Sequence, residues 1–101
     1  MSKLKIAIPE EEIIIFCHKW MVRELALFGS ALRQDFTSQS DLDILISFSE
    51  KAQWSLAEMV EMKAELQQIF CREIDLVEAE AIRNPFRRKE ILGKKEVLYV
   101  A

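Results

Sequence analysis

The sequence predicts an α/β fold in which helices pack on one small mixed β-sheet. Segments with helical spacing of apolar residues alternate with short apolar segments of strand character, which is typical of such a sheet. Half of the 101 residues are hydrophobic, and only two glycines and two prolines are present, as in a chain that folds compactly. We expect one domain over residues 1–101, because two separate cores would each be too small to be stable.

The first predicted element is a helix over residues 9–20. Pro9 tolerates the first helical position, and the three glutamates after it suit the positive end of the helix dipole. One face of this helix is apolar and carries Ile13, Phe16, Cys17 and Trp20. A buried strand over residues 24–28 follows and closes at a Gly29-Ser30 turn, after which a short helix runs to Arg33.

A second strand is predicted over residues 41–48, because this segment has the apolar, β-branched content of a central strand. Ser55 and Glu58 form a capping box that begins the longest helix, and its apolar stripe continues to about Phe70. Residues 73–77 alternate between polar and apolar side chains, which predicts a third strand.

Proline and glycine divide the last part of the chain. A short helix over residues 80–83 should end there, because Pro85 disfavours helical geometry at Asn84. A last helix is expected over residues 86–92 and ends at Gly93. The apolar residues 97–100 then predict an edge strand.

Three aspartates are the candidate metal ligands. Side chains alternate across a strand, so Asp41 and Asp43 should project from one face of the second strand. The other face carries the apolar residues Leu42, Ile44 and Ile46. Asp75 joins them if the third strand lies beside the second. Carboxylates that lie close together repel one another, and a bound divalent cation usually compensates for this repulsion. Oxygen ligands suit magnesium, which completes its shell with water and phosphates and so favours a nucleoside triphosphate substrate.

The turn before these aspartates offers hydrogen-bond donors for phosphate. Gly29 allows the backbone to approach a phosphate closely, and Ser30 begins a helix whose free N–H groups point at the anion. Arg33 adds a guanidinium to the same group. The Gly-Ser turn and the aspartates are each common in turns and strands when taken alone. Their order and spacing along the chain, however, form a specific pattern.

Residues 27–46, with the sequence LFGSALRQDFTSQSDLDILI, resemble the signature of the minimal nucleotidyltransferases, within the DNA polymerase beta-like superfamily. The likeness extends to residues 73–77 and 84–92. It implies the nucleotidyltransferase fold of that superfamily, with Gly29 and Ser30 on the triphosphate of ATP. It further implies that Asp41, Asp43 and Asp75 bind two magnesium ions and that Asp75 helps to deprotonate the acceptor. Gln34 stands where many relatives have glycine, which bears on the shape of the loop.

The resemblance also implies a partner. Small proteins of this kind are often antitoxins paired with an all-helical HEPN ribonuclease toxin in a hetero-oligomer, and they transfer AMP from ATP to a toxin tyrosine. Two alternatives stay open: an antitoxin that neutralises its partner by binding alone, and a transferase that acts on another hydroxyl.

Charge and composition argue against nucleic-acid-binding, membrane-spanning and metal-thiolate proteins. A net charge of −3 argues against direct nucleic-acid binding. Basic residues nevertheless cluster after residue 82, on a face that is either solvated or binds an anion or a partner protein. No apolar run is long enough for a membrane span or resembles a signal peptide, so we expect a cytoplasmic protein. Cys17 and Cys71 lack metal or redox spacing, and we expect both to be buried thiols.

Overall fold

The computed structural model describes residues 8–32, 37 and 40–101, and of Ser30 and Ala31 it describes the backbone alone. Helices and strands alternate in the predicted order. They are α1 (Glu10–Lys19), β1 (Val22–Phe28), a 3-10 helix (Gly29–Leu32), β2 (Leu42–Phe48), α2 (Leu56–Phe70), β3 (Ile74–Glu78), a second 3-10 helix (Ala79–Ala81), α3 (Pro85–Gly93) and β4 (Glu96–Val100).

The four strands form one mixed sheet in the order β3-β2-β1-β4, which confirms the predicted fold class. β1 runs antiparallel to both β2 and β4, whereas β2 runs parallel to β3. A parallel pair needs a crossover connection, and α2 provides it. The parallel register places Asp43 directly beside Asp75.

Both faces of the sheet are covered. Leu42, Ile44 and Ile46 of β2 are buried in the main core, to which α1 and α2 contribute. Leu45 faces the opposite side, in a smaller apolar cluster that includes Ile91 of α3. Because side chains alternate along a strand, Asp43 faces the same side as Leu45. The prediction that Leu42, Ile44 and Ile46 pack away from Asp43 is therefore confirmed.

β1 begins two residues earlier than predicted, because its polar residues have partners on neighbouring elements. Arg23 donates from Nη2 to Ser47 Oγ on β2 at 2.7 Å and to Glu80 Oε1 at 3.3 Å. Glu24 forms an ion pair with Lys95. Val22, the other added residue, pairs with Phe48 of β2. Such partners come from distant parts of the chain, so a local pattern cannot show that Val22 and Arg23 extend the strand.

The short helix predicted over residues 80–83 is instead a single 3-10 turn over Ala79–Ala81. Ile82 and Asn84 are extended, with ψ values of 111° and 117°. Asn84 begins α3 by accepting hydrogen bonds at Oδ1 from the N–H groups of Phe86 and Arg87. Pro85 takes the first helical position, so the helix begins one residue earlier than expected.

The capping box that begins α2 is confirmed. The Ser55 N–H donates to Glu58 Oε1 at 3.3 Å, and the Ser55 hydroxyl donates to Glu58 Oε2. β4 lies at the sheet edge, as predicted, and pairs with β1. No helix in the described part of the chain has the length and apolar content to span a membrane.

Candidate active site

Two of the predicted aspartates meet on the α3 side of the sheet. Asp43 of β2 and Asp75 of β3 are register partners, and both line a cavity of about 500 Å³. Asp43 is half-buried, whereas Asp75 is exposed. The cavity size is within the range of small-molecule sites, which runs from about 300 to 1,000 Å³.

The turn at Gly29 lies against the carboxylate of Asp43. Gly29 has φ of +62°, which side chains disfavour, and a Cβ atom built on it would lie 2.4 Å from Asp43 Oδ2. The preceding residue, Phe28, pairs with Asp43 across β1 and β2 and lines the same cavity. Gly29 is therefore required for both its backbone conformation and the room it leaves for the carboxylate.

The other two residues predicted to bind phosphate are described less fully. The Ser30 backbone belongs to the 3-10 helix that starts at Gly29, as the sequence predicts. Arg33 lies outside the described residues, and so does Gln34, at which the chain departs from the minimal nucleotidyltransferase pattern. Ser30 and Arg33 stay predicted ligands of the triphosphate.

Asp41 is exposed and immediately precedes β2, which begins at Leu42. Among the described residues that line the cavity, the carboxylates are those of Asp43, Asp75 and Glu90, so the structure does not bring Asp41 into this group. Asp41 has an interaction partner of its own. Its role as a metal ligand stays a prediction.

Arg72 anchors the segment that leads into β2, a feature that the sequence pattern did not indicate. Its Nη1 atom donates to the carbonyl oxygens of Ser40 at 3.2 Å and Thr37 at 3.5 Å. The Leu42 N–H donates to the carbonyl oxygen of Glu73 at 2.9 Å. Residues on both sides of Asp41 are thus held by the turn that joins α2 to β3. No local signal identifies Arg72, because its acceptors are main-chain atoms far away in sequence.

One wall of the cavity is formed by α3. The lining residues from this helix are Arg87, Glu90, Ile91 and Lys94. Their spacing places them on one helix face, and Ile91 is buried in the smaller apolar cluster. The basic cluster is evident from the sequence, but which of its members face the site is not, because this depends on how α3 packs against the sheet.

The donor set of the cavity fits magnesium. Magnesium is usually bound by one or two carboxylates, with water and substrate phosphates completing the octahedron, and Asp43 with Asp75 supplies such a pair. Over residues 8–32, 37 and 40–101, no three side chains of His, Cys, Asp or Glu group closely enough to bind a metal by themselves. The pair therefore suits an ion that shares its ligands with a substrate.

A mixed sheet with a glycine turn packed on an aspartate, and with a second aspartate on the next strand, agrees with the nucleotidyltransferase fold that the sequence resemblance implies. The family model of the nucleotidyltransferase domain matches residues 12–98, and the chain belongs to this family. The resemblance found in the sequence is thereby confirmed.

Named relatives are similar to most of the chain. The provisionally named protein adenylyltransferase MJ1379 of Methanocaldococcus jannaschii is 35% identical over 82 residues, which cover 81% of this chain and 80% of the relative. Protein adenylyltransferase MntA of Thermococcus cleftensis is 30% identical over 94% of this chain and 97% of its own length.

A solved structure has a similar fold. It contains a tri-AMPylated HEPN toxin of Shewanella oneidensis in complex with an MNT antitoxin. The superposition gives a TM-score of 0.64 at 18% identity and covers 91% of this chain and 70% of the matched chain.

Proposed function

We propose that this chain is a protein adenylyltransferase that moves AMP from ATP to a tyrosine hydroxyl of a HEPN toxin and thereby acts as its antitoxin. The observation that carries the proposal is the arrangement of Gly29, Asp43 and Asp75 around one cavity. The names of the two relatives support AMP transfer to a protein. The AMPylated HEPN toxin in the complex with a similar fold supports the identity of the acceptor.

We assign the residues to two groups. Gly29, Ser30 and Arg33 hold the triphosphate of ATP by backbone N–H groups and a guanidinium. Asp41, Asp43 and Asp75 would hold two magnesium ions, with Asp43 and Asp75 in the cavity itself. When bound, the ions supply positive charge beside the reacting phosphate and the leaving pyrophosphate.

The transfer is an in-line displacement at the α-phosphorus of ATP. The tyrosine oxygen forms a bond to the α-phosphorus, the bond from that phosphorus to the bridging oxygen of the β-phosphate breaks, and pyrophosphate leaves. Asp75 accepts the hydroxyl proton and passes it to solvent. Asp75 suits this role because it is exposed at the cavity, whereas Asp43 is half-buried against Gly29.

The acceptor belongs to a second protein in this proposal. The solved complex of similar fold supports this, because its AMPylated chain is the HEPN toxin and not the antitoxin. We propose that an all-helical toxin presents its tyrosine from within a hetero-oligomer. The net charge of −3 agrees with a protein acceptor in place of a nucleic acid.

The proposal is tested by producing the toxin in cells with the wild type, with Asp43→Asn or with Glu61→Gln. Asp43→Asn keeps the shape of the side chain and removes its charge. Glu61 is an exposed acid of α2 and does not line the cavity, so it is the matched control. We expect AMP on the toxin tyrosine, seen by mass spectrometry, with the wild type and Glu61→Gln but not with Asp43→Asn.

The same cultures separate catalysis from binding. If AMP transfer is the neutralising event, cells that carry Asp43→Asn stop growing although the variant still binds the toxin. Equal growth with the wild type and Asp43→Asn, with unmodified toxin in both, would show that the chain is a binding module and would overturn the proposal.

A further inference from the structure

The basic residues at the end of the chain do not all serve one purpose. Arg88 donates to the carbonyl oxygen of Ala79, and Lys95 forms an ion pair with Glu24, so both hold the fold together. Lys89 is exposed and does not line the cavity. Arg87 and Lys94, in contrast, line the cavity that contains Asp43 and Asp75.

The helix geometry explains why Arg87 and Lys94 share this cavity. They lie seven residues apart, which is two turns of an α-helix and places them on one face. Ile91 lies between them on that face and is buried, with an exposed fraction of 8%. The burial of Ile91 fixes the rotation of α3 about its own axis. Arg87 and Lys94 are therefore held towards the cavity.

These two cations are available to a ligand. Among the described residues, neither the Arg87 nor the Lys94 side chain takes part in an ion pair within 4.0 Å. Glu90 lies on the same wall, at the spacing at which a helix can pair it with Lys94, yet this pair is absent from the described ion pairs. Two cations beside two aspartates would suit a ligand that carries both phosphates and a metal ion.

A nucleoside triphosphate with magnesium is such a ligand. The carboxylates attract the metal ions, and the phosphate oxygens that the ions do not bind still need positively charged donors. Arginine binds phosphate oxygens in a bidentate manner, and lysine acts as a compact positive charge. The wall formed by α3 supplies one of each.

We infer that Arg87 and Lys94 bind the β- and γ-phosphates of ATP and retain the pyrophosphate as it leaves. The inference rests on the proposed function, because it takes ATP as the substrate of this cavity. It adds a second part of the fold to the triphosphate site: the Gly29 turn binds the triphosphate as proposed above, and α3 binds its two terminal phosphates. Arg87 and Lys94 thus strengthen the binding of nucleotides that carry β- and γ-phosphates, and they do not affect the binding of AMP.

The test compares equilibrium binding of ATP and of AMP, each with magnesium, by titration calorimetry without any acceptor protein. Arg87→Gln and Lys94→Gln should each weaken ATP binding about tenfold, the loss expected for one hydrogen bond to a charged group. AMP binding should stay at the wild-type value, because AMP lacks the β- and γ-phosphates. The thermal unfolding midpoint of each variant shows whether the fold is intact.

Two control variants lie on the same helix. Lys89→Gln removes one positive charge outside the cavity and should leave ATP binding unchanged. Glu90→Gln changes a side chain that lines the cavity, but it removes a negative charge, which would repel phosphate. ATP binding should therefore not weaken. If Glu90→Gln weakened ATP binding as much as Arg87→Gln does, the packing of the wall and not its positive charge would be responsible, and the inference would fail.

Wild-type ATP affinity in both Arg87→Gln and Lys94→Gln would overturn the inference, and so would an equal loss of AMP affinity. Neither result bears on whether the wild type modifies a toxin. Conversely, a wild type that binds ATP through Arg87 and Lys94 but transfers nothing would overturn the proposed function and leave this inference standing.

Discussion

At the scale of single residues, Gly29 is the most constrained position of the described site. Its φ of +62° is in the left-handed region, and its missing side chain leaves room for Asp43 Oδ2. A glycine needed only for a tight turn would be explained by its φ value alone. Gly29 also leaves room for the carboxylate of Asp43, so Gly29 and Asp43 cannot be changed independently of each other.

We expect Gly29→Ala to abolish nucleotide transfer and to destabilise the chain. The left-handed backbone alone costs a side chain about 1–2 kcal/mol, and the new methyl group must also displace the Asp43 carboxylate. Gly93→Ala is the matched control, because a Cβ there meets nothing within 4 Å. We expect it to keep activity and to be stabilising by up to about 1 kcal/mol. Chemical denaturation and transfer assays measure both effects, and an active Gly29→Ala would contradict this account of the site.

The two cysteines should differ in reactivity. Burial raises the pKa of the Cys17 thiol to about 12, so Cys17 stays protonated and shielded near neutral pH. Cys71 is exposed, against the expectation that both thiols are buried, because it ends α2 in a left-handed conformation with φ of 56°. A thiol reagent should label one cysteine of the folded chain, and Cys71→Ser should remove that label. Labelling of the folded Cys71→Ser variant would contradict the burial of Cys17.

At the scale of secondary-structure elements, a polar link joins α1 to α2 at the edge of the main core. Lys19 donates to Glu65 Oε2 at 2.7 Å, and the Trp20 indole donates to Glu65 Oε1 at 3.0 Å. Trp54 donates from Nε1 to the carbonyl oxygen of Trp20 at 2.8 Å, and the two indole rings pack edge to face. The segments before β1 and after β2 are thereby held together.

This link should make stability depend on pH. Burial acts to raise the pKa of Glu65, but the hydrogen bonds from Lys19 and Trp20 and the Lys19 charge lower it below its ordinary value of 4.5. A carboxyl with a lowered folded-state pKa stabilises the fold above its unfolded-state pKa, and this contribution is lost as the pH falls through the folded-state pKa. The contribution of Glu65 is therefore complete above about pH 4.5 and decreases below it.

We expect Glu65→Gln to unfold at a lower temperature than the wild type at neutral pH. On acidification below pH 4.5, the unfolding midpoint of the wild type should fall more than that of Glu65→Gln, because the variant lacks the titrating group. Lys19→Gln should lose part of the same pH dependence, since it removes one of the two donors. Equal acid-induced shifts in the wild type and Glu65→Gln would show that Glu65 does not contribute in this way.

At the scale of the whole molecule, the fold was largely predictable because each element carries a local signal. The capping box at Ser55, the apolar face of α1 and the apolar content of β2 are all local features, and the structure contains each of them. Strand order was not predicted, and the position of β3 beside β2 entered only as a condition for Asp75 to join the other aspartates. The extension of β1 to Val22 and Arg23 was missed, since it depends on Phe48, Ser47 and Glu80.

Part of the site was predictable because the spacing of its residues in the sequence is typical of their chemistry. Gly29, Asp43 and Asp75 were identified from the sequence, and the structure brings them to one cavity. The approach of Asp43 to Gly29 depends on pairing between β1 and β2. Arg72 acts through main-chain carbonyls, and the cavity-facing side of α3 is set by the burial of Ile91. Such features arise from packing between distant segments, which no local pattern records.

The central claim is AMP transfer, and the most direct test is labelled ATP with purified protein and co-purified toxin. Magnesium is either present or chelated, and an Asp41→Ala/Asp43→Ala double variant that still binds the toxin is the control. We expect label on the toxin with the wild type and magnesium only. No label from a folded, toxin-bound wild type supplied with magnesium would contradict the claim and would leave binding as the means of neutralisation.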